Sequence, residues 1–240
     1  MPKRRLSDPL VWSDPYAIAV VSQADIEEAK VWWQKYAAGL GLILLGGGLI
    51  EIGRRRRLRE MSVAIRGNKL DGRALCDNLR SGDVSLADWQ MQMARNIKVS
   101  HIAAAAIAAG GIGQITPAMV ARIEENVAFQ LSYLSQLASS IAGGQVSGGT
   151  MCRLAQLYLG SSRGTYNDID GIMMGDQGFD LYRNVLGAGE EHCDGGNSCP
   201  EVSDMGWQPI GSLPQIGSRK CLGNCLCSWE YMNSFTGERA

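Results

Sequence analysis

Histidine is nearly missing from this sequence, with only His101 and His192 among 240 residues. Imidazole is the commonest acid–base group near neutral pH, so catalysis that relays protons through several histidines is excluded. His101 stands in an alanine-rich helical stretch, where a packed or capped structural role is commoner than a catalytic one. His192 adjoins Cys193, yet chain neighbours seldom point the same way, and no third orienting group can be nominated for a thiol nucleophile. The expectation is a protein that is not an enzyme.

Long apolar runs are missing too. Residues 36–50 are uncharged and apolar, but that is 15 residues, whereas a membrane span needs about 20. Gly39, Gly41, Gly46, Gly47 and Gly48 interrupt it. A buried helix ending at the glycines is expected, with a short or re-entrant membrane segment as the lesser alternative and no membrane partner. Residues 1–8 are charged, with no apolar stretch of the signal-peptide kind behind them, which points to synthesis in a cytoplasm. There is no internal repeat, no long low-complexity tract and no base-reading nucleic-acid motif.

What is present is enough to bury a core: 45% of the residues are apolar. The formal net charge of −1 hides an asymmetry, because residues 1–80 hold fourteen Lys/Arg against nine Asp/Glu and the remainder nine against fifteen. Such polarity suits a protein lying between unlike surfaces. Five of the seven cysteines fall within residues 193–227. In a reducing compartment that clustering favours metal binding or thiols over a disulfide framework.

The spacing predicts a mainly α protein, a helical bundle followed by a small irregular α+β cysteine-rich C-terminal module. Ser22 and Asp25 mark a helix start, after which Ile26, Ala29, Trp33, Tyr36, Leu40 and Leu44 recur at helical spacing until glycines 46–48. Residues 49–66 mix β-branched residues and arginines around Gly53 and permit a short hairpin or an extended arm. Ser85 and Asp88 form a capping-box pattern ahead of a stripe from Leu86 to Ala108 that stops at Gly110 and Gly111. Thr116 and Pro117 open a second helix running to Gly143 and Gly144, and Thr150 opens a third. After Tyr166, Gly, Asp and Pro become frequent and helical periodicity fades, so the chain divides into a helix plus basic arm (1–80), a bundle (81–166) and a cysteine-rich module (167–240). Residues 179–186 and 226–232 are candidate strands, with Gly211, Pro214 and Gly217 as turns.

The constellation with the most chemistry is His192, Cys193, Cys199, Cys221, Cys225 and Cys227. Thiolates and imidazole are the ligands zinc prefers, and four of them drawn from separate segments would hold together a module too small to do so by burial. The spacing is not the paired C-x2-C of zinc ribbons. Buried thiols acting as small apolar side chains are the equal alternative, and a disulfide formed by later oxidation is a third. The carboxylates Asp168, Asp170, Asp176 and Asp180 match no calcium-loop pattern and are expected in a solvated acidic loop.

In order, Arg183, Leu186, His192-Cys193, Cys199, Gly206-Trp207, Pro209, Pro214, Gly217, Cys221 and Asn224-Cys225-Leu226-Cys227 resemble the C-terminal signature of phage Mu F-like head morphogenesis proteins and related minor head proteins. These end in an arginine-led strand, a His or Cys cluster, a Gly/Trp/Pro turn region and a closing Asn-Cys-Arg-Cys. Two departures stand out: Leu226 replaces the arginine of the closing motif, and the histidine that often precedes the motif is absent. The resemblance implies a structural virion protein, present in several copies next to a portal or capsid protein and acting in head assembly, genome packaging or DNA delivery.

Arg54, Arg55, Arg56, Arg57 and Arg59 are candidates for contact with packaged double-stranded DNA, salt-dependent and without sequence specificity. A solvated arm, or pairing with an acidic portal neighbour, is the plainer reading. The alternative function is a metal-dependent nucleic-acid-processing enzyme or an accessory DNA-binding protein packaged with the genome.

Overall fold

The computed structural model describes residues 9–10, 12, 14–36, 54–187, 198–217, 219 and 225–240. Among them the chain is mainly helical, with a small three-stranded antiparallel sheet near the C-terminus. A short α1 (Pro15–Ala19) leads into α2 (Gln23–Tyr36), α3 (Arg54–Ser81), α4 (Leu86–Ala109), α5 (Pro117–Ala142), α6 (Gly148–Gly160) and α7 (Ser162–Asp176). There follow β1 (Leu181–Val185), α8 (Cys199–Asp204), β2 (Gln208–Pro209) and β3 (Ser228–Met232).

Local chemistry sets the helix ends. The Ser85 hydroxyl accepts from the Asp88 amide at 3.1 Å, and Thr116 does the same for Met119 at 3.3 Å with Pro117 in the first turn. Each satisfies an amide that has no partner inside the helix. Gly110, at φ 85°, closes α4 in the left-handed conformation. The third helix opens on Ser147, whose hydroxyl accepts from Thr150 N, rather than on Thr150 itself.

Helix α4 is the centre of the bundle and packs against α2, α3, α5 and α7. Every residue from Ile102 to Ala109 is buried. Alanines all round the helix let its neighbours approach closely, and Trp33 of α2 reaches through to donate its indole N–H to the Ala103 carbonyl at 3.0 Å.

Two expectations are corrected. From residue 54 onward the supposed arm is the opening of the 28-residue α3. Met61, Ala64, Ile65, Asn68 and Cys76 bury one face of it, and arginine, leucine and methionine are good helix formers that Gly53 does not outweigh. Helicity also does not end at Tyr166, because α7 runs to Asp176 and crosses the boundary placed there. Three of its polar residues are buried or half-buried with partners: Asn167 donates to Arg163 O at 2.8 Å, Asp168 accepts from Asn126 at 2.9 Å and Asp170 accepts from Arg54 at 2.7 Å. Tertiary contacts thus stabilise a segment of weak intrinsic propensity, and Asp168 and Asp170 are not in a solvated loop. Asp176 and Asp180 are exposed.

The expected run of α2 beyond Tyr36, its glycine stop and the apolar stretch over residues 37–50 lie outside the described residues. Among the described residues no helix is long and apolar enough to cross a membrane.

The sheet has the order β2-β1-β3, with Leu181 opposite both Pro209 and Met232. Alternation turns Tyr182, Asn184, Trp229 and Tyr231 inward. They enclose a second, smaller core with Val202, Leu213 and Ile216, set beside the bundle.

Candidate metal centre

Three thiols from two distant segments meet inside this second core. Cys199 opens α8, where Ser198 and Glu201 form a reciprocal capping box that fixes the start of the helix. Cys225 and Cys227 lie just ahead of β3, and in extended chain alternate side chains share a side. Both cysteines therefore point inward at 2% exposure while Leu226 between them is 57% exposed. The Sγ atoms of Cys199, Cys225 and Cys227 all lie within 4.8 Å of one another, with Cys199 and Cys225 at 3.6 Å. None of the described cysteines is in a disulfide.

The three thiols could hold a metal ion. Zinc–sulfur bonds of about 2.3 Å at tetrahedral angles place neighbouring sulfurs about 3.8 Å apart. Three such ligands leave one position to fill. His192, Cys193 and Cys221, the remaining candidates, lie outside the described residues.

Polar side chains hold the backbone of this cluster. Arg163 of α7, 5% exposed, donates through Nη2 to the carbonyls of Leu226 and Cys227, both at 3.1 Å, and through Nη1 to the Ser62 hydroxyl of α3 at 2.9 Å. Asn184 of β1 donates to the Cys199 carbonyl at 3.1 Å and accepts from Arg219 at 2.9 Å. Arg219 in turn donates twice to Pro214 O and stacks over Trp229 at 5.2 Å. The hydrogen bond with Cys225, followed by burial, holds the Cys227 thiol well above its ordinary range. Burial lowers the Arg163 guanidinium while Cys225 and Cys227 pull it up. As a thiol Cys227 keeps its proton. A divalent cation would displace it, and the Arg163 charge would offset part of the thiolate charge.

No family model, curated protein or solved structure matches the chain.

The basic run over residues 54–59 is divided by the helix it starts. Arg54 turns inward, its Nε 2.7 Å from Asp170 and its guanidinium over the Tyr231 ring at 4.8 Å. Arg57 is half-buried, and Arg56 and Arg59 are exposed. The side chain of Arg55 lies outside the described residues.

His101 is 1% exposed. The Ser161 hydroxyl donates to Tyr158 O, so it accepts from His101 Nε2 at 2.9 Å, and Nδ1 is left to accept from Thr165 at 2.7 Å. This chain of bonds fixes a neutral imidazole, and burial lowers its pKa to about 3. The structural role expected from the sequence is the one its surroundings support. Cys76 and Cys152 lie in the bundle, away from the tail cluster, and burial pushes the Cys76 thiol up to about 12.

Arg163, Asn184 and Arg219 escaped the sequence reading. The one available signal was Arg163 itself, a lone charge between Gly160-Ser161-Ser162 and Gly164-Thr165, small neighbours that leave room for other segments to reach it.

Proposed function

We propose that this chain is a structural protein of a tailed-phage head, placed near the portal and present in several copies. Its C-terminal module would be held by a structural zinc ion on Cys199, Cys225, Cys227 and one of His192, Cys193 or Cys221. The observation that carries the reading is the meeting of Cys199 with the closing Cys225-Leu226-Cys227, buried and within 4.8 Å. Those positions belong to the stretch over residues 183–227 that carries the resemblance to Mu F-like head proteins, and had they been far apart the resemblance would have had no structural counterpart. With its fourth ligand drawn from those three residues the set would be closed and would leave no position for substrate, so this reading goes with a structural role rather than catalysis.

Two measurements test it. Purified particles should contain the chain in stoichiometric amount by quantitative mass spectrometry, whereas presence in infected-cell lysate and absence from particles defeats the virion reading. The purified chain should carry one zinc per polypeptide by elemental analysis, and a metal-free, fully folded chain defeats the zinc reading alone.

A further inference from the structure

Two cysteines outside the tail cluster, Cys76 and Cys152, meet inside the bundle. Helices α3 and α6 pack along one another, and two glycines show how they are aligned. A Cβ added at Gly72 of α3 would run into Leu159 of α6, and one added at Gly148 of α6 would lie 2.9 Å from Arg80 Nε of α3. The two helices are therefore antiparallel, with residues 72 and 80 of one facing residues 159 and 148 of the other. Cys76 stands four positions from both Gly72 and Arg80, and Cys152 four from Gly148 and seven from Leu159. Offsets of four and seven stay on one face of a helix, so both cysteines lie on the contacting faces. At about 1.5 Å per residue each is about 6 Å along its helix from the Arg80–Gly148 contact, which brings the two level.

The side chains agree with this register. The two thiols share a hydrogen bond, and neither is in a disulfide. Cys76 is fully buried, whereas Cys152 is half-buried and within reach of solvent. Gly72 and Gly148 present no Cβ to hold the helices apart, and a disulfide needs Cα atoms about 4.4–6.8 Å apart.

We propose that Cys76 and Cys152 are an oxidation site, closed to a disulfide by a small-molecule disulfide such as oxidised glutathione, and that the bond staples α3 to α6. The step is thiol–disulfide exchange in two stages. The Cys152 thiolate attacks one sulfur of the oxidant, so that a first glutathione leaves as thiolate and a mixed disulfide remains on Cys152. The Cys76 thiolate then attacks Cys152 Sγ, and the second glutathione leaves. The two departing thiolates take up the two protons that the cysteines gave up. Two protein thiols have been oxidised by two electrons, and one disulfide has been reduced to two thiols. Burial, then the neighbouring thiol, holds the proton on Cys76, so Cys76 resolves the mixed disulfide and Cys152 makes the first attack. The inference concerns the bundle alone and stands apart from both the tail metal and the particle assignment.

The test is non-reducing peptide mapping of the full chain. The reduced protein is incubated with oxidised glutathione, the remaining thiols are blocked with iodoacetamide, and trypsin then releases residues 74–80 with Cys76 and residues 123–153 with Cys152, each the sole cysteine of its peptide. The two peptides should be recovered joined, from protein that runs as a monomer on a non-reducing gel. Oxidation should raise the melting temperature of the parent by about 10 °C more than that of Cys152→Ala treated alike, as a disulfide closing a loop of this length does. Cys76→Ala should stop at a glutathione adduct on Cys152, while Cys152→Ala should carry no adduct on Cys76. Circular dichroism checks the fold of both variants, and the parent alone decides whether the bond forms. Recovery of the two peptides unjoined, either of them joined to a tail cysteine, a joined pair found only in a dimer band, or an adduct on Cys76 in place of Cys152 would each overturn the proposal.

Discussion

At the scale of single residues, two side chains have consequences that can be measured. Cys225 is 2% exposed and shares its surroundings with Cys199 and Cys227. Cys225→Ser should abolish zinc retention after gel filtration and lower the melting temperature, while Cys152→Ser, in the bundle, should leave the metal content alone. A chelator should lower the melting temperature of the parent and leave that of Cys225→Ser unmoved, since ligand binding to the folded state alone raises stability by mass action. His101 gives a pH signature. Its folded pKa, lowered by burial to about 3, lies below the ordinary value of about 6.5. Between those values the unfolded chain takes up a proton that the folded chain refuses, so stability falls as pH falls through 6.5. From pH 7 to pH 5 the parent should lose about 2 kcal/mol more than His101→Gln in urea titrations. Equal pH dependence in the two proteins would show that the imidazole is charged, or solvated, in the fold.

Among elements, caps and close contacts decide what forms. The Ser85 hydroxyl satisfies the Asp88 amide at the start of α4, the helix that α2, α3, α5, α6 and α7 all pack against. Ser85→Ala should cost about 1 kcal/mol, read as a drop in the urea midpoint with an unchanged m-value. That cap was legible in the sequence, as were Thr116-Pro117, the Gly110 stop and the strands over residues 181–185 and 228–232, because each is a local pattern of a few residues. Helix α7 was not legible. Asn167, Asp168 and Asp170 are the residues of a loop until Arg163 O, Asn126 and Arg54 are brought to them, and Arg54 lies 116 positions away from Asp170. The candidate centre was legible in its ligands but not in its supports. The clustering of one histidine and five cysteines named six candidates, of which Cys199, Cys225 and Cys227 meet and the other three lie outside the described residues, whereas Arg163, Asn184 and Arg219 act on backbone carbonyls from other elements and leave no spacing to read. The arginine run was read as one unit, and only helical geometry separates Arg54, turned inward, from Arg59, turned out.

On the scale of the whole molecule, the question is what seats the cysteine-rich module on the bundle. Arg163 reaches the carbonyls of Leu226 and Cys227 from α7. Gly217, at φ +94°, passes so close to Gly164 that a Cβ on it would lie 3.4 Å from the Gly164 Cα. The third joint is Arg54, which takes its charge from α3 to Asp170 on α7 and its flat face to Tyr231 on β3. Asp170 is 1% exposed at its side chain, and Arg54 18%. Removing one member of such a pair leaves the other charged in a dry site, which typically costs about 3–5 kcal/mol, whereas replacing both by apolar residues of similar size is often close to neutral. Arg54→Met should therefore destabilise strongly and expose the module to proteolysis ahead of the bundle. Arg54→Met with Asp170→Leu should recover much of the loss, and the coupling between the two substitutions measures the joint. If the double variant is as unstable as the single one, the ion pair is not what matters at this boundary, and the stacking of Arg54 on Tyr231 would carry the seat instead.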